Sequence, residues 1–576
     1  MALPEEEQKF IKLIENKIKS EIPLVSEISS YTLGYTVKKN HIEGLGLFSC
    51  GLHSIPNTVN SLSGLKNLVI RGNKLRVLPE ELFLIMTLES LDLSDNRLSK
   101  LPTSIYSAKS LKNLYLESNH LTELPSSIKD LTSLETLDLS ENRFTKLIKE
   151  IFTLQNLKTL DLSTNGLENL PDEIGELINL ELLYLGNNTL KTLPPTIGRL
   201  KALKRINLRN NALEELPDSI GKLASLRSIF LKGNNLIKLP ESIGNLKSLK
   251  YLGLSSNKLS SLPFSIGSLN SLENLSLSSN SLTTLPDSIG RLESLLRLEI
   301  SDNELQNFPE IENLSFLQIL RIDRNNLKIL PLSLGKLKAL EILKVDRNEI
   351  EKLPESLCEL SNLKELDLYD NRLSSLPDNF GKLSSLSILD LSKNSLASLP
   401  ESIGNLKSLK ELDVSTNKLN ALVPTIGQIP NLKNLILGFN RLQSIPEDIG
   451  YLKKLENLDL GKNRLITVPE SIGELESLKR LYLYYNNLTA IPSTIGNLKS
   501  LKSLYLGNNN LTKIPKSIEN LKGLKYLFLR GNKIKKLPKI IHNLPSLKYL
   551  NLEKNDVEDL HNIMEELGDR DIKIFK

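Results

Sequence analysis

The chain has 576 residues, 40% of them hydrophobic but only 5% aromatic and none of them Trp, and 73 basic against 68 acidic residues leave a net charge of +5. So mild a balance gives no electrostatic reason to expect nucleic acid, and two cysteines are too few for a disulfide framework. Nowhere does a run of about 18 apolar residues occur that could span a membrane.

In chain order, residues 5 to 20 come first, with Phe10, Ile14 and Ile18 at helical spacing, predicting an amphipathic helix. The same stretch mixes acids with lysines and lacks an unbroken apolar core, so it does not read as a secretory signal. A cytoplasmic location is expected. Then "YTLGYTVKKNHIEGLGL", residues 31–47, reads as two strands around a turn at Lys38-Lys39-Asn40. Helix and hairpin together are expected to form an N-terminal cap over residues 1–41.

One repeat accounts for residues 42–557. An asparagine returns every 23 residues from Asn73 to Asn303, takes a single step of 22 to Asn325, and resumes the period of 23 to Asn555. Counting back once more from Asn73 reaches Cys50, which gives 22 asparagines and one cysteine, or about 23 turns. The unit reads L-x-x-L-x-L-x-x-N-x-L-x-x-L-P-x-x-I-G-x-L-x-x. Alternation such as Leu481-Tyr482-Leu483-Tyr484 has the period of a strand, with leucines inward. The asparagine amide can both donate and accept where the chain turns. In "LPESIG" (Leu239 to Gly244) proline suits a first helical position and glycine an end, so each strand is followed by a short helical return. One such unit cannot bury its leucines alone, so the units must stack. The shortened "NFPEIENLSF" unit and the displaced proline of "LVPTIGQIP" are expected to disturb that stack locally. Residues 558–576, "EDLHNIMEELGDRDIKIFK", read as a C-terminal helical cap with a charged outer face.

This unit resembles the leucine-rich repeat family, and its 23-residue length with L-P-x-x-I-G is similar to the Ras-group subset of animal, plant intracellular and prokaryotic cytoplasmic proteins. The resemblance implies an α/β solenoid, a horseshoe with a concave parallel β-sheet and short helices or 3₁₀ turns on its convex side. It also implies a non-enzymatic scaffold or adaptor that binds a folded protein on the concave face, a small GTPase being one such partner. A competing expectation is an exported receptor or adhesin that senses a ligand.

No constellation for chemistry emerges. The five histidines lie far apart, no spacing suits a metal, and the Gly-Lys pairs at Gly221 and Gly381 lack the rest of a phosphate loop. No catalytic residue, metal or cofactor is therefore expected. Cys50 is expected to serve as a small buried residue in the asparagine's place. If leucine and asparagine are fixed by stacking, recognition falls to the outward strand positions. There the candidates are Arg480, Tyr482, Tyr484, Tyr505, Tyr526, Phe528, Arg530 and Tyr549, with Lys502 and Lys525 beside them. Aromatic rings with arginine suit an interface, but rings on adjacent strands can equally pack on one another. Two weaker candidates remain: an acidic stretch of Asp92, Asp95, Asp138, Glu141 and Asp161, read mainly as a solvated wall, and a mixed charged block from Arg297 to Arg347.

Overall fold

The computed structural model describes residues 3–538, 541, 543–558 and 572–576. They fall into two compact units, Met1–Ser281 and Leu282–Lys576. Each is a stack of turns with one wall of parallel strands and an opposite wall of short 3₁₀ turns.

The first unit opens on a helix, Glu5–Ile18, whose Phe10, Ile11 and Ile14 are buried. Its buried Glu7 is fully engaged: one carboxylate oxygen lies 2.7 Å from His41 Nδ1 and the other accepts the Ile42 N–H at 2.9 Å. A hairpin follows, Leu33–Lys38 antiparallel to His41–Leu47, with Lys39 and Asn40 in left-handed conformation at the turn. The second hairpin strand also pairs in parallel with Asn67–Val69. It therefore belongs to the hairpin and to the stack of repeats at once.

Beyond it, three-residue strands pair with a register of one repeat, as in Asn457↔Arg480, Leu458↔Leu481 and Asp459↔Tyr482. The central leucines, such as Leu435, Leu458, Leu481 and Leu504, are fully buried. Each strand is so short because the inward-facing side chains of one turn fill the space between the walls, and the chain must then bend. The asparagines hold that bend. Asn371 Nδ2 donates to the carbonyls of Val345 (3.0 Å), Leu368 (3.2 Å) and Tyr369 (3.4 Å), while its Oδ1 accepts the Ile350 N–H at 3.0 Å. Val345 and Ile350 belong to the preceding turn, so one amide closes its own bend and ties it to its neighbour. The same pattern recurs from Asn73 to Asn555. Cys50 is half-buried rather than buried, and its thiol donates only to the Phe48 carbonyl, at 3.4 Å. A thiol cannot reproduce the amide's two-way bonding.

The opposite wall is uniform. In Glu401–Asn405, Pro400 precedes the turn with φ −71° and ψ 149°, Ile403 is buried, and the Ile403 N–H returns to the Pro400 carbonyl at 3.0 Å. Proline fits because its fixed φ leads into the turn and its missing N–H is not needed there. In the 22-residue unit this helical turn is absent, and Ile311 N–H is taken up instead by Ser333 Oγ at 3.0 Å. The displaced proline costs nothing: Pro424 becomes the first residue of an ordinary turn, Pro424–Gln428.

Residues 559–571, most of the expected C-terminal helix, lie outside the described residues. Lys573–Phe575, at the end of the expected helix and among the described residues, form a strand instead, pairing Tyr549↔Lys573, Leu550↔Ile574 and Asn551↔Phe575. The alternation in "IKIFK" suits a strand, and pairing gives the last repeat strand's outer edge a partner.

Candidate functional site

The outward positions of the strands form rows that run from turn to turn. In the second unit one row becomes a ladder of rings. Tyr482 and Tyr505 stack with centroids 4.5 Å apart and planes 14° apart, and Tyr505 and Phe528 do the same at 4.5 Å and 8°. Tyr549 continues it at 4.8 Å, and Phe575 adds a further ring 4.8 Å beyond. At the other end Tyr484 meets Tyr482 edge-on at 6.4 Å, and Tyr485 meets Tyr484 at 6.1 Å. The stacking follows from register: Tyr482↔Tyr505 and Tyr505↔Phe528 are paired residues on adjacent strands, and strands lie about 4.8 Å apart.

So the structure brings Tyr482, Tyr484, Tyr505, Phe528 and Tyr549 together, and it resolves the two readings of the rings into one arrangement. Tyr482, Tyr505 and Phe528 pack face to face, Tyr484 edge-on and Tyr549 tilted, yet all five line the sheet wall and remain half-buried, outside the leucine filling. Tyr526 stands in the neighbouring row with 39% of its surface exposed. Burial raises the hydroxyl pKa values of Tyr484 and Tyr505 above the ordinary range, so these groups stay neutral donors at physiological pH. The two arginines are partly spoken for. Arg530 pairs with Glu553 at 3.2 Å, and Arg480 donates to Asn457 Oδ1 at 2.9 Å.

Sequence reasoning missed the rings that flank this ladder. Phe439 and Tyr485 occupy the position just before the asparagine, where the backbone is left-handed with φ 57° and 51°. That conformation disfavours bulky side chains, and most other turns place a small, amide or charged residue there. Both rings are exposed, at 47% and 53%, with Lys462 Nζ lying 4.2 Å from the Phe439 centroid and 5.5 Å from that of Tyr485. The first unit has its own smaller cluster: Phe230 and Tyr251 at 4.7 Å, with the Arg209 guanidinium 4.5 Å over Phe230. Its signal was available, since Phe230 lies in the same row as the C-terminal rings.

The acidic stretch has a structural role. Asp138 and Asp161 each accept the N–H of the residue two positions on, Ser140 and Ser163, at 2.9 and 2.8 Å. Asp92 does the same for Ser94 and is itself buried. Asp95 pairs with Arg71 at 2.7 Å. In the mixed charged block Glu299 faces Arg297 at 3.3 Å and Arg321 at 4.0 Å, while Lys344 reaches beyond the block to Glu365 at 2.7 Å. Among the described residues no group of His, Cys, Asp and Glu could hold a metal ion, and no helix is long and apolar enough to cross a membrane.

With this geometry in place, comparison with known proteins is specific. A family profile described as leucine-rich repeat region matches residues 43–165, 172–250, 240–322, 301–393 and 423–513, and a further leucine-rich repeat profile matches 499–557. The chain belongs to the leucine-rich repeat family. Among solved structures it is similar to the plant peptide hormone receptor RGFR1 in complex with RGF2, at 29% identity over 92% of this chain and 94% of that one, with a TM-score of 0.70. It is also similar to a leucine-rich repeat protein of Leptospira interrogans, at 32% identity over 81% of this chain and 95% of that one, TM-score 0.52. A third is the Arabidopsis receptor kinase HAESA in complex with the peptide hormone IDA and the co-receptor SERK1, at 28% identity over 92% and 90%, TM-score 0.63. A search of curated proteins finds no match.

Proposed function

We propose that this leucine-rich repeat protein is a non-enzymatic scaffold that captures a protein or peptide on the sheet wall of its second unit. The observation that carries the reading is the ladder of stacked, half-exposed rings Tyr482–Tyr505–Phe528, extended by the tilted ring of Tyr549, in a chain that is otherwise poor in aromatics. A rigid row of rings offers large contact area at little cost in side-chain entropy. Two of the similar structures hold peptide hormones, which supports an extended polypeptide as the kind of ligand.

We further infer a cytoplasmic location, supported by the two free cysteines; recovery from the envelope or the medium instead would favour the receptor or adhesin reading, to which the receptor likenesses lend weight. Placement in the Ras-group subset rests on the repeat unit alone. The partner is not extended to a small GTPase, because none of the likenesses points to one.

The test is affinity capture with the full chain and a triple variant, Tyr482→Ala, Tyr505→Ala and Phe528→Ala. The expected result is loss of the main partner with an unchanged far-ultraviolet circular dichroism spectrum. Undiminished capture by the folded triple variant would remove the assignment.

A further inference from the structure

Immediately before each repeat strand lies a rim position whose residues also form a row along the stack. From Glu43 to Lys204 this row alternates in sign and neutralises itself; beyond that it is mixed, with basic neighbours at Lys204, Arg227 and Lys250 and again at Lys410 and Lys433. In the first unit Lys66 reaches Glu43 at 3.3 Å, Lys112 reaches Glu89 at 2.7 Å, Lys158 reaches Glu135 at 2.8 Å, Lys204 reaches Glu181 at 2.6 Å, and Lys250 reaches Glu273 at 2.6 Å. In the second unit Lys364 reaches Glu341 at 2.9 Å, and Lys479 pairs with Glu456.

From Lys479 onward the row is basic on four successive turns, the longest such run along it. The next three rim residues are Lys502, Lys525 and Lys548, all exposed and none with an acidic partner among the described residues. They border the ring ladder, since Lys525 precedes Tyr526 and Lys548 precedes Tyr549. The whole region shares the bias. Residues 479–558 contain fifteen Lys and Arg against four Asp and Glu, a net +11, so the rest of a chain of net +5 carries −6.

We propose that the last turns of the second unit form a docking strip for an acidic, extended segment of a partner protein. Its carboxylates would sit on Lys502, Lys525 and Lys548, and its apolar side chains on the exposed edges of Tyr482, Tyr505 and Phe528. This rests on the protein-binding reading above and specifies the partner's chemistry. Two physical facts select an acidic peptide over a nucleic acid. Stacking at 4.5 Å closes the ring faces that a base would need, and what remains outward is the ring edge, which carries partial positive charge. Lysines and ring edges thus present one sign together. At about 4.8 Å per strand, the row from Lys479 to Lys548 spans about 14 Å, the length of four or five residues of extended chain.

The decisive variant is Lys502→Glu. It restores the Lys–Glu–Lys order found elsewhere in the row, so its melting temperature should equal or exceed that of the wild type. Binding is read by fluorescence anisotropy with a labelled peptide of alternating Glu and Phe, its Gln counterpart, and a single-stranded oligo-dT. The wild type should bind the Glu peptide at least tenfold more tightly than the Gln peptide, and Lys502→Glu should lose at least tenfold. Equal affinity for Glu and Gln peptides, an unchanged Lys502→Glu, or preference for oligo-dT would each overturn the proposal. If cellular capture is lost in the triple ring variant but untouched by Lys502→Glu, the acidic-segment inference fails while the protein-binding reading stands. If capture survives the ring variant, the reading itself fails.

Discussion

Replacing Asn371 by Ala tests the bond pattern that holds every turn to the next. Asn371 is buried, and its amide serves four backbone groups: the carbonyls of Val345, Leu368 and Tyr369, and the N–H of Ile350. Carbonyls tolerate a lost donor better than a buried N–H tolerates a lost acceptor, so Ile350 N–H carries most of the cost. One orphaned buried donor costs about 1–3 kcal/mol, and the lost net contribution of the remaining bonds adds about 1 kcal/mol each at most. The expected destabilisation is therefore about 3 kcal/mol. Because a repeat stack opens locally, the assay is native-state hydrogen exchange of the Ile350 amide, where about 3 kcal/mol corresponds to roughly a hundredfold loss of protection. Asn362→Ala is the control: that residue is exposed, bonds only the Lys338 carbonyl at 2.9 Å, and should cost no more than about 0.5 kcal/mol. A loss below about 1 kcal/mol at Asn371, with Ile350 still protected, would refute the claim that the amide ladder fastens the turns.

Two further outcomes follow from the same coordinates. The Asp346 carboxyl is pushed up to about 6, by burial first and then by Asp367 and Asp323, against an ordinary value of 3.8. Between those values the folded chain holds a proton that the unfolded chain has released, so stability declines as pH rises through the window and the penalty is complete above it. Asp346→Asn should raise the melting temperature at pH 7, leave it unchanged below pH 4, and flatten the profile between; calorimetry across that range decides. Separately, a Cβ on Gly198 would lie 2.5 Å from the Ser219 carbonyl oxygen, whereas one on Gly166 meets nothing nearer than 3.4 Å. Gly198→Ala should cost about 1–3 kcal/mol in urea unfolding through forced separation of adjacent turns, and Gly166→Ala close to none.

The stack itself was legible in the sequence because a period of 23 fixes which residues become neighbours. From that period the strand rows, the asparagine bends and the membership of the ring ladder could all be written down. What the period does not give is what each neighbour does. The acidic stretch was read mainly as a solvated wall, yet its Asp138 and Asp161 each cap their own strand end by accepting the N–H two residues on, as Asp390 and Asp413 do further along. The recurring Asp-x-Ser spacing was the available signal. Phe439 and Tyr485 were not counted because only outward strand positions were considered, and these two stand beyond the strand, at the left-handed bend before the asparagine. The final strand was taken for helix because the chain seen alone does not show that Leu550 needs Ile574 beside it.

Lys502 and Lys525 were read from the sequence as neighbours of the rings but not, with Lys548, as one row of like charge. Residues 23 apart never form a run of like charge in sequence, and only folding sets them side by side, where like neighbours repel. The chain contains a second set of such neighbours, the aspartates, with Asp138↔Asp161 and Asp367↔Asp390 directly paired across strands. Those are compensated locally, because each carboxylate accepts a backbone N–H that would otherwise lack a partner, as at Asp367 with Tyr369 and Asp390 with Ser392. Lys502, Lys525 and Lys548 receive no such return from the fold. Seven rim pairings elsewhere show that the stack accommodates an acid at this position without difficulty. The row carries shorter basic runs elsewhere, at Lys204-Arg227-Lys250 and Lys410-Lys433, but only the run from Lys479 to Lys548 borders the stacked rings. It is that coincidence of unneutralised lysines with aromatic contact area that suits an external carboxylate-bearing segment.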